Sequence, residues 1–481
     1  MLGVRRAATQ EEIRHAYLKA VQRLHPDKNV NPGETEIFLE VQQAYETLGN
    51  PQRRALYDAT LPPEPEPPPA PIEIDIQYSR ASLPRLSEPQ VIYILMTVAA
   101  APSLADAPAP PLNLCLVLDV STSMQGEKLE ILKETALQLV RRLRPQDTFS
   151  LVAFSDRAQV YVPPTQGSEA RRAESKIHML QAGGGTEIFR GLEAGVQEIR
   201  RSLRPGTSNH VILLTDGRTY GDEGNCLELA ATASTEAIGI SGLGIGGGWN
   251  DAFLDSLAAR AGGACVYAAD PQDMTRLLLA RFDQLSEGFA SETSLNFRLG
   301  AGLTLNYVFR LQPEPAPLAS ESPLSLGGFR RHEPLRLLLE LHLPELTEAA
   351  DQLTLLEGQL SASTPALSAA SASVPVRVER PISAEANPEP PAAAIIQALS
   401  RVTLYRMQER ARLEVHEGNL DRATERLRHL ATHLLSQGQQ GLAHTVLLEM
   451  EHIEKEKSFS EKGEKDIKFG TRGLIGPEKP A

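Results

Sequence analysis

Leu114-Cys115-Leu116-Val117-Leu118-Asp119-Val120-Ser121-Thr122-Ser123-Met124 is the stretch on which the fold turns. Five consecutive apolar residues read as a strand buried on both faces, as in a parallel sheet covered by helices. The strand ends in a carboxylate followed by two hydroxyls at alternate positions, which aims them into the crevice where the carboxyl ends of such strands bind ligands. A helical pattern follows through Leu129 to Leu143. Further apolar runs at 148–154, 210–215 and 237–245 alternate with helical patterns as far as residue 283, which predicts an α/β unit built on a parallel sheet. Two more oxygen sources fall at comparable places. Thr186 follows Gly183-Gly184-Gly185, where glycines permit a tight loop and close backbone approach. Asp216 follows the apolar run 211–214 and precedes Gly217. An all-oxygen set with few charges suits a hard cation such as magnesium, with positions left for a partner's carboxylate.

On these residues the segment 112–283 resembles the von Willebrand factor A fold with its metal-ion-dependent adhesion site. The D-x-S-x-S motif stands at Asp119, Ser121 and Ser123, and the family's threonine and second aspartate match Thr186 and Asp216. The resemblance implies a doubly wound α/β domain holding Mg2+, or Mn2+ or Ca2+. It further implies that Ser121 and Ser123 coordinate directly together with Thr186 or Asp216, the rest acting partly through water. Competing signals are weaker. Gly242, Gly244 and Gly247 fit G-x-G-x-x-G but lie inside and just past a late strand, not between a first strand and its helix. Asp119 as a phosphoryl-accepting nucleophile lacks a second carboxylate two residues on. His178 and His210 have no nucleophile beside them, and Arg171-Arg172 reads as a solvated pair.

The flanks of this unit, 72–111 and 284–381, are strand-like. Ile72-Glu73-Ile74-Asp75-Ile76 alternates, 91–98 is apolar, and 294–299 and 335–341 are short β runs. Bacterial A-domain proteins resemble this arrangement when the A domain is inserted into a β-sandwich, so one discontinuous sandwich is expected. A second proline-bearing linker, 382–391, leads to a helical region at 392–457, where apolar stripes broken at Gly418 and Gly438 predict antiparallel helical hairpins. A charged tail is expected over 458–481.

The N-terminal 60 residues are a separate helical piece. Ile13, Ala16, Tyr17, Ala20, Val21 and Leu24 recur at helical spacing, as do Phe38, Val41, Ala44, Tyr45 and Leu48. Between them stands His25-Pro26-Asp27, with Pro26 fixing one backbone dihedral of the turn. Gly49-Asn50-Pro51 stops the second helix. The runs AYLKAVQRLHPDKN and FLEVQQAYETLGNPQRRALYD resemble the J-domain of the DnaJ family. That resemblance implies that His25, Pro26 and Asp27 trigger ATP hydrolysis in a DnaK-type (70-kDa heat-shock) chaperone and that Arg14, Lys19 and Arg23 dock on it. The three cations are expected to form one stripe for an acidic partner surface. The prolines from Pro62 to Pro69 make an extended spacer within a linker at 61–71.

The whole chain has 481 residues and a net charge of −13, which argues against nucleic acid as the main partner. Three widely spaced cysteines, Cys115, Cys226 and Cys265, imply neither a disulfide framework nor a zinc site. No apolar run approaches a membrane span, and residues 1–30 lack a secretory signal, so a cytoplasmic protein without a membrane partner is expected. The leading expectation is a non-enzymatic co-chaperone whose A domain binds a client or assembly partner through a divalent cation and an acidic residue. The alternatives are a metal-dependent binding scaffold with a vestigial J-domain, and a hydrolase or accessory subunit using Asp119.

Overall fold

The computed structural model describes residues 9–24, 32–60, 71–102, 108–219, 221–346, 351–364, 371–383 and 390–476. The His25-Pro26-Asp27 turn, the Pro62–Pro69 spacer and residues 384–389 of the second linker lie outside them, as does the side chain of Arg23. The chain divides into two compact units, Met1–Pro69 and Ala70–Ala481.

The first unit consists of helices Gln10–Leu24, Pro32–Leu48 and Pro51–Thr60. Ile13 and Val41 are its buried contacts, and Tyr17 stacks on Tyr45 with ring centroids 4.0 Å apart. Asn50 caps the third helix by accepting from the amides of Gln52 and Arg53, while Pro51 occupies the first helical position, where no amide donor is needed.

In the second unit a six-stranded sheet runs in the order Ala158–Gln166, Thr148–Phe154, Leu112–Asp119, Ser208–Thr215, Ile238–Ile245, Gly262–Ala268. All neighbours are parallel except the first pair. The sheet is therefore mixed: Ala158–Gln166, absent from the sequence-based strands, is an antiparallel edge reached by a short return from Phe154. Its side chains are exposed or half-buried except for Val162, a weaker apolar signal than its neighbours give. The chain moves outward on one side of Leu112–Asp119 and then crosses to Ser208–Thr215, so the order reverses between these two strands, a place where open α/β sheets bind ligands. Side-chain alternation divides the core in two. Leu112, Leu114, Leu116 and Leu118 pack with helices Glu127–Arg142 and Pro271–Ser286, whereas Cys115 and Val117 pack with Ile188–Arg201 and Asp251–Arg260. The discounted glycines have a packing reason, since a Cβ on Gly244 would lie 2.0 Å from the Trp249 ring.

Strands from before and after this unit share one sheet, ordered Ile72–Tyr78, Gln90–Ala100, Leu335–Leu343, Thr304–Gln312, Ala316–Leu318. A second five-stranded sheet is centred on Glu292–Leu299, Gln352–Ser363 and Ser371–Ser383, and residues of both sheets enclose one hydrophobic core. The buried Arg310 joins these sheets to the α/β unit, donating to the carbonyls of Gly262, Gly263, Leu326 and Glu314. Burial pushes its guanidinium down to about 10.

The C-terminal region forms helices Ala393–His416, Leu420–Ser436 and Gln440–Glu456 around Leu404, Leu427, Leu434 and Val446. A fourth helix, Glu461–Gly473, replaces the expected charged tail. Its Ile467 is buried and Phe469 packs against Trp249 and Tyr267, while its charges pair with the α/β unit: Lys468 bonds Asp251 and Asp255, and Arg472 reaches Asp255 at 2.6 Å. Read alone, this composition suggests a solvated segment; its charges are buried because their partners lie over two hundred residues earlier in the chain.

Candidate functional site

The crevice at the strand reversal collects the oxygen groups singled out in the sequence. Asp119 ends the central strand and is fully buried. Its Oδ1 accepts from the Ser121 amide at 2.8 Å and its Oδ2 from the Thr215 hydroxyl at 2.6 Å. Burial raises the Asp119 carboxyl above its ordinary range; hydrogen bonds from Ser121 and Thr215 oppose this, and the nearby Asp216 carboxylate adds to it. Ser121 and Ser123 lie on the short turn before helix Glu127–Arg142, with hydroxyls 3.0 Å apart, and the Ser123 hydroxyl donates to Asp216 Oδ1 at 2.6 Å. Asp216 follows strand Ser208–Thr215 and is 5% exposed, whereas Ser123 lies open at the mouth.

Thr186 arrives on the glycine loop. The Thr122 amide and hydroxyl both donate to the Gly184 carbonyl, at 3.1 and 3.0 Å, and the Gly183 amide donates to the Val120 carbonyl at 2.8 Å. This fixes the loop across the D-x-S-x-S turn. A Cβ at Gly217 would stand 2.9 Å from Thr186 Oγ1, so the glycine after Asp216 lets the threonine approach. Thr186 Oγ1 makes no hydrogen bond among the described residues and is half-buried.

Three residues of this crevice escape sequence reasoning. Asp156 accepts the Gly185 amide at 2.8 Å and fills the space that side chains on Gly184 and Gly185 would need. Its signal was its place two residues past a strand end. Thr215, directly before Asp216, orients Asp119. Lys128, in the first turn of the following helix, puts its ammonium 2.5 Å from Asp216 Oδ2 and 3.2 Å from the Ser123 carbonyl. A cation at a helix N-terminus opposes the helix dipole, which was the available signal. Behind the crevice, a Cβ on Gly248 would come within 3.0 Å of the Asp216 carbonyl, and the adjoining Gly247 carbonyl accepts from Lys465. Arg218 pairs with Glu461 at 3.2 Å, so helix Glu461–Gly473 supports both loops under the site.

These groups are chemically suited to a hard divalent cation. They are oxygen donors only, two of them carboxylates, and the ammonium of Lys128 already stands against Asp216 as a stand-in cation. Among the described residues no three His, Cys, Asp or Glu side chains converge as a metal-ligating group. The cysteines are buried and free, and burial raises Cys115 to about 12, which leaves it an inert core thiol. His210 is buried and bonds Ser241 at 2.9 Å.

On the first unit, Arg14 and Lys19 are exposed on helix Gln10–Leu24. They do not form one stripe with Arg23: at about 100° per residue, Arg14 is about 140° from Lys19 around the helix, and only Lys19 and Arg23 are neighbours.

The comparisons with known proteins agree with this fold. Residues 113–278 match the von Willebrand factor type A domain, 1–58 the DnaJ domain, and 393–477 the Sll0103-like C-terminal alpha-helical domain. The last match takes in helix Glu461–Gly473. The chain is 34% identical over 245 residues to uncharacterized protein sll0103 of Synechocystis sp., covering 49% of this chain and 58% of that one. It is 52% identical over 58 residues to the chaperone protein DnaJ of Dictyoglomus thermophilum, covering 12% of this chain and 15% of that one. The match thus spans less than two thirds of either relative's length. A solved von Willebrand factor type A structure from Catenulispora acidiphila shares the fold with a TM-score of 0.67 at 16% identity, covering 84% of this chain and 96% of that one. The ArnB paralog VWA2 from Sulfolobus acidocaldarius does so with a TM-score of 0.57 at 15% identity, covering 84% and 98%.

The chain joins a DnaJ domain to a von Willebrand factor type A domain. The first is a co-chaperone module and the second a protein-binding module, and neither family is catalytic. Among the described residues no helix is long and apolar enough to cross a membrane.

Proposed function

We propose that this protein is a cytoplasmic adaptor co-chaperone. Residues 1–60 recruit a DnaK-type chaperone and stimulate its ATPase, with His25, Pro26 and Asp27 as the trigger and Arg14, Lys19 and Arg23 as docking charges. The domain at 112–283 holds a divalent cation, Mg2+ first, on Asp119, Ser121, Ser123, Thr186 and Asp216. The cation presents an open coordination position to a carboxylate of the client. Residues 72–111 and 284–381 form one β-sandwich interrupted by this domain, and 392–476 is a helical module docked on it. The linker at 61–71 keeps the chaperone-recruiting unit close to a bound client, which raises effective concentration without a new contact.

The observation that carries the reading is the oxygen-only crevice at a strand reversal, on a chain that begins with a DnaJ domain. The metal, when bound, supplies positive charge for a partner carboxylate. The protein's own groups do the rest: Thr215 and the Ser121 amide orient Asp119, and the glycine loop brings Thr186 to the mouth. Two measurements test this. Affinity capture with wild type and Asp119→Ala, with and without chelator, should lose the same proteins in both depleted conditions. ATP turnover of a DnaK-type chaperone should rise with wild type and not with His25→Gln. Equal turnover with both would leave a metal-dependent binding scaffold with a vestigial J-domain.

A further inference from the structure

Lys128 is the one ammonium recorded against the crevice carboxylates among the described residues. Its side chain is 35% exposed while that of Asp216 is 1% exposed, so the contact is buried at the carboxylate end and open at the lysine end. The other oxygens of Asp119 and Asp216 are occupied otherwise: Asp119 by the Ser121 amide and the Thr215 hydroxyl, and Asp216 Oδ1 by Ser123. Asp216 Oδ2 is thus the oxygen given to an ammonium. The helix dipole does not favour a cation at this point, because Lys128 stands among the free amides of its first turn.

Resting on the reading of the crevice as an ion site, we propose that Lys128 is a tethered counter-ion that competes with the divalent cation for Asp216. In the ion-free protein it neutralises half of the buried carboxylate charge. When the ion enters, the ammonium gives up Asp216 and swings to the mouth on its flexible stem, where it meets an acidic ligand beside the metal. The charges make this sensible. Asp119, Asp156, Asp216 and Lys128 together are two charges negative, and adding a divalent ion with the ammonium still nearby brings the crevice to neutral, whereas without the ammonium it would stay one charge negative and repel a carboxylate. Lys128 therefore lowers affinity for the metal and raises selectivity for an acidic partner.

The test uses the full chain and Mn2+ as the probe. Mn2+ dissociation constants are measured by titration calorimetry for wild type, Lys128→Met, Lys128→Arg and Asp119→Ala. In parallel, the rate of acylation of Lys128 by an activated ester is followed by mass spectrometry with and without Mn2+. The proposal expects Lys128→Met to bind roughly fivefold tighter than wild type, the size of one partly exposed ion pair. It expects Lys128→Arg to stay near wild type and Lys128 acylation to accelerate when Mn2+ is added. If wild type binds Mn2+ but Lys128→Met binds equally or more weakly, the competition is overturned and the ion site stands. If wild type binds no better than Asp119→Ala, the ion-site reading fails and takes the role of Lys128 with it.

Discussion

Asp119 and Asp216 face the crevice with one ammonium, held on Asp216, whereas Asp251 and Asp255, on helix Asp251–Arg260, meet Lys468, Arg412 and Arg472 from the C-terminal helices. Both pairs belong to the same α/β unit and both are removed from water. Burial raises Asp119, with hydrogen bonds only partly opposing it. Burial pushes the same way on Asp251 and Asp255, yet their cations win, and both carboxyls fall below the usual range. The ratio of cations to carboxylates, rather than burial, separates the proposed ion site from a structural junction. In the first one ammonium faces two carboxylates; in the second three cations face two.

The comparison breaks most visibly at the junction. Replacing Lys468 by Met leaves two buried carboxylates short of a cation, and the expected loss is about 3–5 kcal/mol. It is read from the urea midpoint of the full chain, and an unmoved midpoint would show that apolar contacts of Ile467 and Phe469 suffice. Acid acts on the same groups. The stability supplied by Asp251 and Asp255 is complete above their unfolded value near 4, about 3.9 for an aspartate, and is lost as pH falls through their lowered folded values. Hydrogen exchange should therefore show helix Glu461–Gly473 losing amide protection below about pH 3, while Lys468→Met loses it at higher pH. Protection indifferent to acid in both proteins would sink the electrostatic account.

Glu292 sharpens the contrast from a third position. It is half-buried beside the Ser234 hydroxyl, at 3.2 Å, in a cavity of about 870 Å³ between the α/β unit and the sheets, and burial pushes its carboxyl up to about 7. A raised carboxyl costs stability as pH climbs from its unfolded value of about 4.3 to about 7. Glu292→Gln should gain about 1 kcal/mol at pH 8 and little at pH 4. Equal melting temperatures at pH 8 would refute this. The smallest effect is expected at the crevice itself. Asp119→Asn should change thermal stability without metal by less than about 1 kcal/mol, because relief of a buried charge offsets the altered hydrogen bonds. The same variant should abolish any thermal shift produced by Mg2+.

Much of the crevice was legible because its chemistry is local. Asp119, Ser121 and Ser123 sit at alternate positions after an apolar run, and Asp216 and Thr186 follow a strand and a glycine loop whose patterns name them. Lys128 and Asp156 are not legible in the sequence, where each is an ordinary charge, and only the strand reversal brings them to a carboxylate and a glycine amide. The three docking cations of the first helix do not share one stripe, because the residues per turn carry Arg14 well around the helix from Lys19 and Arg23.

By itself the sequence determined the helices of the first unit, the buried strands of the central sheet, the hairpins after residue 392 and the oxygen donors of the crevice. Each of these follows from periodicity or from groups a few residues apart. The tertiary structure alone decided which charges are paired. It turned 461–473 from an apparently solvated segment into a buried helix, placed Arg310 on the carbonyls of Gly262 and Gly263, and set Lys128 on Asp216. The reason is physical: apolar patterning records which face of an element leaves water, whereas the cost of burying a charge is settled only by partners that distant parts of the chain bring within a few ångströms.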